Sequence, residues 1–364
     1  MFNLRTLTIR TVEIPLKYPF KTSKLNETDR QTIILELSDG KTSGFGEAPG
    51  VSIPIFSEEY NESAVLTIKK FFSNPLLNAT SIKEFNDETN WIKGNNFARH
   101  GCEAVLYDYL AKCENIPLSK MLKASKTTVE CQVSLGITSY EKLKLNIAEA
   151  AKTGFKRIKI KIDQKNNIEM LKKIKKEFPK LELTADANCA FSERDLPLLE
   201  KIDELELKML EQPFGAYDLL LHSKLQKRIE TPICLDESIP NPAVARDAIE
   251  MEACRIINVK PARVGGITRS LEIAELSTKN GIKCWIGGLL ETSVGRSLNI
   301  AIAATNNFTL PNDINPPLRY LTQDIAEGLE FEKNMAKVPA TTGIGIKINS
   351  ALLEKYTVDK LVIK

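Results

Sequence analysis

Histidine is nearly missing from this 364-residue sequence: His100 and His222 are the only two. Both fall in stretches with helical spacing, which argues against a histidine-rich zinc site and against a Ser-His-Asp machine. Cysteine pairing signals are missing too. The seven cysteines, at 102, 113, 131, 189, 234, 254 and 284, are odd in number and form no CxxC pair. Most lie in apolar surroundings such as Ile233-Cys234-Leu235 and Lys283-Cys284-Trp285, which read as reduced, buried thiols rather than a disulfide framework. A cytoplasmic location is therefore expected. No apolar run approaches the roughly 18 residues that a membrane span requires, and residues 1–20, carrying Arg5, Arg10 and Glu13, do not read as a signal peptide. Charge of one sign is not in excess either, with 50 basic against 47 acidic side chains and a net +3. Neither nucleic acid nor a membrane surface is expected as a partner.

What is present is enough apolar residue, 43%, for a large core. Residues 4–14 and 31–38 alternate and are rich in Ile, Thr and Val, which predicts a small antiparallel sheet. The polar stretch Thr22 to Arg30 between them is long for a hairpin and reads as a functional flap. Helical spacing follows over 58–72, 80–93 and 97–115, with Ala104, Leu106, Leu110 and Ala111 on one face of the last. From about residue 129 short apolar runs alternate with amphipathic helices. The runs are Cys131 to Gly136, Arg157 to Ile162, Leu181 to Ala185, Leu207 to Leu210, Pro232 to Leu235, Ile256 to Val259 and Ile282 to Ile286, with a weaker eighth near Phe308 to Leu310. Such alternation predicts an α/β fold with a parallel sheet closed into a barrel. The division expected is an α+β cap over 1–125, the barrel over 126–315, and a tail over 316–364 that packs back on the cap.

The charges fall in register with this repeat. Lys161, Asp186, Glu211, Asp236 and Lys260 each close an apolar run, at successive gaps of 25, 25, 25 and 24 residues. A barrel advances by one strand–helix unit per such step, which places all five on one ring at the C-terminal mouth, where barrels keep their chemistry. Three carboxylates from consecutive strands make an all-oxygen cluster suited to one hard divalent cation such as Mg2+, with a lysine on either side. Structural ion pairing explains any one of these residues alone; five at near-constant spacing around a like-charge cluster weigh against it. Lys159 precedes Lys161 by two residues and points to the same side of its strand. Two ammonium groups held close lower the proton affinity of at least one, as a general base requires.

The motifs Lys159-Ile160-Lys161, Asp186-Ala187-Asn188, Glu211-Gln212-Pro213, Asp236-Glu237-Ser238 and Lys260-Pro261-Ala262-Arg263-Val264-Gly265-Gly266 together resemble the enolase superfamily, in its muconate-lactonizing subgroup. The resemblance covers nearly the whole chain. It implies a TIM-type (β/α)7β barrel with an α+β capping domain completed by the C-terminal tail, and one Mg2+ per site held by Asp186, Glu211 and Asp236. It further implies Lys161 and Lys260 as acid/base lysines on opposite faces of the substrate. Lys159 would contact the substrate carboxylate and tune Lys161, and Asn188 and Glu237 would support these groups from behind. Gly265-Gly266 either lets the loop approach the substrate or forms the turn into the next helix. A proton alpha to a carboxylate is weakly acidic, because its loss puts two negative charges on one small group. Mg2+ with Lys159 nearby stabilises that enediolate as it forms. Lysines on both faces allow removal from one side and delivery to the other. The histidine–aspartate base of the acid-sugar dehydratase and mandelate-racemase branches has no counterpart here.

Asp313-Ile314-Asn315 stands where similar dipeptide epimerases carry Asp-x-Asp for the substrate ammonium, so Asn315 accepts a hydrogen bond without supplying the charge. Glu291, in Gly287-Gly288-Leu289-Leu290-Glu291-Thr292, is expected to line the pocket. Lys24, with Leu25 as the other register, stands in the flap where Ala-Glu epimerases look to grip the distal carboxylate. The first expectation is thus an isomerase, an epimerase of L-Ala-D/L-Glu dipeptides of the kind released from cell-wall peptide. The alternatives are an N-acyl amino acid racemase, an o-succinylbenzoate synthase or a muconate cycloisomerase, whose substrates lack a free ammonium. Whether the chain forms a homo-oligomer is left open.

Overall fold

The computed structural model describes residues 6–21, 26–55, 57–136, 138–165 and 168–364. Three antiparallel strands open the chain: β1 (Thr6–Lys21), β2 (Asn26–Ser38) and β3 (Ser43–Ala48). β1 and β2 are longer than their alternating runs predict, because pairing continues through Ile14 with Arg30 and Pro15 with Asp29. Part of the expected flap is therefore strand; Thr22 to Leu25, and with them Lys24, lie outside the described residues. Leu7 and Ile9 join the core of the cap, whereas Val12 and Ile14 join the core of the barrel. That change of side coincides with a pairing irregularity between Thr11 and Val12, the local twist that a bulge introduces.

Helix α1 (Asn96–Cys113) crosses this sheet. It buries residues all round, including Arg99, His100, Glu103 and Asp108, and not only the face marked by Ala104 and Leu110, because sheet and barrel enclose it from two sides. Its approach to β3 is close. A Cβ at Gly46 would stand 2.5 Å from Val105 N, and one at Gly44 2.6 Å from Tyr109 N.

The barrel follows as seven parallel strands in chain order: β4 (Val133–Leu135), β5 (Arg157–Lys161), β6 (Glu182–Asp186), β7 (Met209–Glu211), β8 (Ile233–Leu235), β9 (Ile256–Val259) and β10 (Lys283–Ile286). Three of the intervening helices matter below: α2 (Leu219–Gln226), α3 (Ile267–Lys279) and α4 (Ser293–Ala303). The weak eighth run closes the ring through isolated parallel bridges, Phe308 with Cys284 and Asn312 with Cys131. The tail divides its contacts. Thr357–Ile363 (β11) pairs antiparallel with β1 at the edge of the cap, whereas Met335–Lys337 pairs with Thr128–Glu130 beside the barrel. All seven cysteines are unpaired, and Cys102, Cys131, Cys234, Cys254 and Cys284 are buried. Among the described residues no helix is long and apolar enough to cross a membrane.

Cap and barrel meet at the start of α3. Glu103 of α1 accepts hydrogen bonds from Thr268 N at 3.1 Å and from Asn86 Nδ2 at 2.9 Å. Gly266, at φ 125, lies so close that a Cβ there would collide with Glu103 Oε2. Of the two readings of the glycine pair, the turn into a helix is the one seen. Gly266→Ala combines left-handed backbone strain with overpacking and is expected to cost about 2–4 kcal/mol, measured as a lowered urea midpoint. A midpoint equal to that of the parent would contradict this packing.

Candidate active site

The strand register brings the expected ring together. Lys161 is the partner of Asp186 on β6, and Asp186 the partner of Glu211 on β7; Asp236 and Lys260 follow directly on the ends of β8 and β9. Lys159 stands inside the ring, its ammonium 3.2 Å from both Asp186 Oδ2 and Glu211 Oε2 and 5.2 Å from the centre of the Trp285 ring. Lys161 Nζ lies 3.5 Å from Asp186 Oδ2 and donates to Asn188 Oδ1. On the opposite side Lys260 Nζ meets Asp236 Oδ2 at 2.8 Å. The two lysines thus flank the carboxylates from strands four apart, with Lys161 35% and Lys260 13% exposed at the side chain.

Several partners were not legible from the sequence. Arg263, inside the motif that follows β9, pairs with the other oxygen of Asp236. Asn258, two residues before Lys260, donates to Glu211 Oε1 at 2.9 Å, and its spacing was the signal that it shares the inward face. Gln212 has φ 40, a left-handed turn that bends its amide back to accept from Asp236 N at 2.9 Å and Ser238 N at 3.2 Å. It thereby ties the end of β7 to the end of β8. Asn188 and Glu237, by contrast, were legible from their motifs, and they meet: Asn188, also left-handed at φ 41, donates to Glu237 Oε1 at 3.2 Å. Such strain, clustered where strands end at charged groups, is what a preorganised site stores. His222, on α2, reaches Gln212 behind the ring at 3.4 Å, and neither histidine ends a barrel strand.

Burial sets the electrostatics. It pushes Glu211 up to about 7, assisted by the charge of Asp186 and offset in part by Lys159. Burial raises Glu237 as well. For Asp186 burial works in the same direction, but Lys161 and Lys159 outweigh it and hold the carboxyl below its ordinary value; Arg263 and Lys260 do the same for Asp236. Burial pulls Lys159 down, yet Glu211 and Asp186 win and leave its ammonium more firmly protonated than a free lysine. The expected mutual repulsion of Lys159 and Lys161 does not dominate at Lys159, because two carboxylates stand at 3.2 Å from it. Lys159 is a fixed positive charge here, not a base.

An oxygen-only donor set on consecutive strands suits Mg2+, and one buried oxygen of it, Glu211 Oε2, accepts no hydrogen bond although the Lys159 ammonium stands 3.2 Å away. As placed, though, Asp236 is turned onto Lys260 and Arg263, and no three acids among the described residues stand as a ready cage. The residues fit an ion in type and position; taking one up requires Asp236 to exchange a cationic side chain for it.

The other expected contacts are placed as follows. Asp313, just beyond the closing bridge, accepts from Ser134 Oγ at 2.7 Å and lies 4.0 Å from Lys159 Nζ. Asn315 is buried, and its amide donates to Gln132 O at 3.1 Å and to Asp313 Oδ1 at 3.2 Å. Glu291 is buried against Arg296 and Asn299, at 3.2 and 3.0 Å.

Comparison with known proteins places this architecture. Residues 142–352 match the family model described as "Enolase C-terminal domain-like". The chain belongs to the enolase superfamily. It is 39% identical over 95% of its length to an o-succinylbenzoate synthase of Listeria innocua, covering 94% of that protein. It is also 37% identical over 96% of its length to an N-succinylamino acid racemase of Thermus thermophilus, covering 96% of it. An L-Ala-D/L-Glu epimerase of Clostridium acetobutylicum is more distant, at 26% over 94% of this chain and 98% of the other. A crystal structure of an enolase-superfamily member from Listeria innocua superposes with a TM-score of 0.96 at 37% identity, covering 100% of this chain and 99% of that one. The protein is therefore an enzyme of this superfamily. The relatives favour the second expectation from the sequence, the synthase or racemase, over the dipeptide epimerase expected first.

Proposed function

We propose that this enzyme removes a proton alpha to a carboxylate on substrates that carry a succinyl arm, with o-succinylbenzoate synthesis as its principal reaction. The single observation that carries the proton chemistry is the shared rim: Asp186, Glu211 and Asp236 on consecutive strands, flanked by Lys161 and Lys260. The substrate class rests on the relatives named above and on the eighth turn, the stretch 313–315 that follows the closing bridge at Asn312. An ammonium-bearing dipeptide needs free acid there. Asn315 carries no charge, and the carboxylate of Asp313 is only 17% exposed and already engaged by Ser134 and Asn315, with Lys159 at 4.0 Å. Substrates without an ammonium fit that lining better, because they leave no buried cation unpaired.

Asp186, Glu211 and Asp236 would hold one Mg2+ ion, which supplies a fixed positive charge where a carboxylate gains negative charge. The chain's own groups do the rest. Lys159, its ammonium 3.2 Å from Asp186 and Glu211, adds a second positive charge beside that carboxylate. Elimination of water from a cyclic hydroxy acid to give the benzoate ring needs one lysine to take the α-proton, and an ammonium on the same face to protonate the departing hydroxyl. Lys161, the more exposed of the two lysines, would do both. Interconversion of N-succinylamino acid enantiomers needs a base on one face and an acid on the other. Lys161 and Lys260 on opposite sides of the carboxylates favour that second reaction at the same site.

The direct test offers the purified enzyme with Mg2+ three substrates: the succinyl-bearing hydroxy acid precursor, N-succinylamino acids, and L-Ala-L-Glu. Succinyl-bearing substrates are expected to exceed the dipeptide in kcat/KM by about 100-fold or more, the discrimination set by unpaired buried polar groups. A dipeptide preference would sink this assignment in favour of the epimerase.

A further inference from the structure

The ion pair of Glu291 and Arg296 lies behind the rim. Arg296, on α4, is 2% exposed, and its guanidinium faces two groups: Nη2 forms an ion pair with Glu291 Oε2 at 3.2 Å without a hydrogen bond, and Nη1 donates to Asp313 O at 2.7 Å. Asp313 is the acid whose carboxylate borders Lys159. Its own N–H donates to Ile286 O at 2.9 Å, at the end of β10. The approach of guanidinium to carbonyl depends on Gly288. A Cβ there would stand 2.6 Å from Asp313 O and closer still to Arg296 Nη1. The helix that carries Arg296 is itself pinned from the cap. Glu47, at the end of β3, accepts from Thr292 N at 3.1 Å, Thr292 Oγ1 at 2.7 Å and Gly295 N at 2.9 Å.

A buried ion pair costs desolvation that a well-packed apolar pair avoids, so its placement here calls for a purpose. A guanidinium offers donors in fixed directions and so transmits position from one partner to the other, which an ammonium on a flexible stem does less well. We propose that Arg296 is a positioning residue: by holding the Asp313 carbonyl it sets the carboxylate beside Lys159, and through it the charge that Lys159 presents to the substrate. The path runs from the cap through Glu47 and α4 to the eighth turn. This inference rests on the proton-transfer reading above.

The test compares the parent with R296M, R296K, G288A, D313N and the R296M/D313N double variant. It measures kcat and KM for α-proton removal from an N-succinylamino acid, with thermal midpoints to confirm folding. R296M is expected to lower kcat about 10- to 100-fold, the cost of a misplaced group near the chemistry, with KM within about threefold of the parent. R296K should recover only part of the loss. G288A, which leaves Arg296 in place but forces it off the carbonyl, should reproduce that loss. It also carries the test alone if R296M does not fold. In the D313N background R296M should add less than about threefold, because the two act in one chain. The full 10- to 100-fold loss in that background, or an unchanged kcat in R296M and G288A, overturns the proposal. If the parent turns over no such substrate, the functional reading fails, but the positioning claim is still decided by a crystal structure of G288A. Displacement of the Asp313 carboxylate from Ser134 and Lys159 upholds it, and an unmoved carboxylate refutes it.

Discussion

Lys161→Ala is expected to lower turnover by about 10²- to 10⁴-fold, the range for removing a positioned general acid–base group, while leaving the fold intact. The side chain is 35% exposed, so its loss opens no core cavity, but it removes one of the two cations that hold the buried Asp186 charged, and stability without Mg2+ should fall by about 1 kcal/mol. Lys260→Ala is expected to suppress racemisation by a comparable factor, since inversion needs a proton donor on the face opposite the base. Lys260 is the ammonium paired with Asp236 at 2.8 Å, so this variant leaves Asp236 with Arg263 alone. The two substitutions are therefore read as kcat at saturating Mg2+, with substrate affinity measured separately. Turnover within about threefold of the parent in Lys161→Ala would remove the lysine from the chemistry.

Glu211→Gln is expected to separate stability from activity. In the metal-free protein the Glu211 carboxyl is pushed up to about 7, chiefly by burial. An acid whose folded-state pKa is raised opposes folding once pH exceeds its unfolded value, and the penalty grows up to the folded value. Between about pH 4.5 and 7 the parent should lose stability from this group with rising pH, and the glutamine variant should not. The metal-free thermal midpoint of Glu211→Gln at neutral pH is therefore expected to equal or exceed that of the parent. Added Mg2+ should act in the opposite sense. A ligand at about 100 times its Kd stabilises by about 2.7 kcal/mol, and that gain should appear in the parent and vanish in the variant. Activity should fall by roughly 10³-fold or more, as the loss of several kcal/mol of charge stabilisation implies. Equal stabilisation of both proteins by Mg2+ would move the ion away from Glu211.

The ring was legible in the sequence because a barrel repeats at nearly constant chain length, so equal gaps between charges become equal steps around the mouth. Gln212, which acts through a bend, was not legible: it does its tying through left-handed backbone, which no spacing rule marks for that residue type, whereas Asn188, equally left-handed, was legible through its motif beside Asp186. Arg263 reads in sequence as an ordinary basic residue at the start of a helix, and only the fold turns it onto Asp236. The eighth strand was faint because the ring closes there by isolated bridges at Phe308 and Asn312 and not by a continuous ladder. The cap hairpin was underestimated because β1 and β2 go on pairing with each other past their alternating runs, at Ile14 with Arg30 and Pro15 with Asp29, where the sequence is polar and carries a proline; β11 covers only Leu7 to Val12. Asn315 was read as an acceptor; the structure uses its amide as a donor to Gln132 O and Asp313. The dipeptide expectation rested on the likeness of Asp313-Ile314-Asn315 to Asp-x-Asp and on Lys24, and substrate class is where the sequence reading and the relatives part.

Exchange of the α-proton of an N-succinylamino acid in D2O, followed by proton NMR with Mg2+ present, tests the central claim most directly. The account predicts that the α-proton signal disappears with the parent enzyme and persists when Lys161 and Lys260 are both replaced by alanine. An α-proton retained by the parent, or exchange that continues without either lysine, would contradict it.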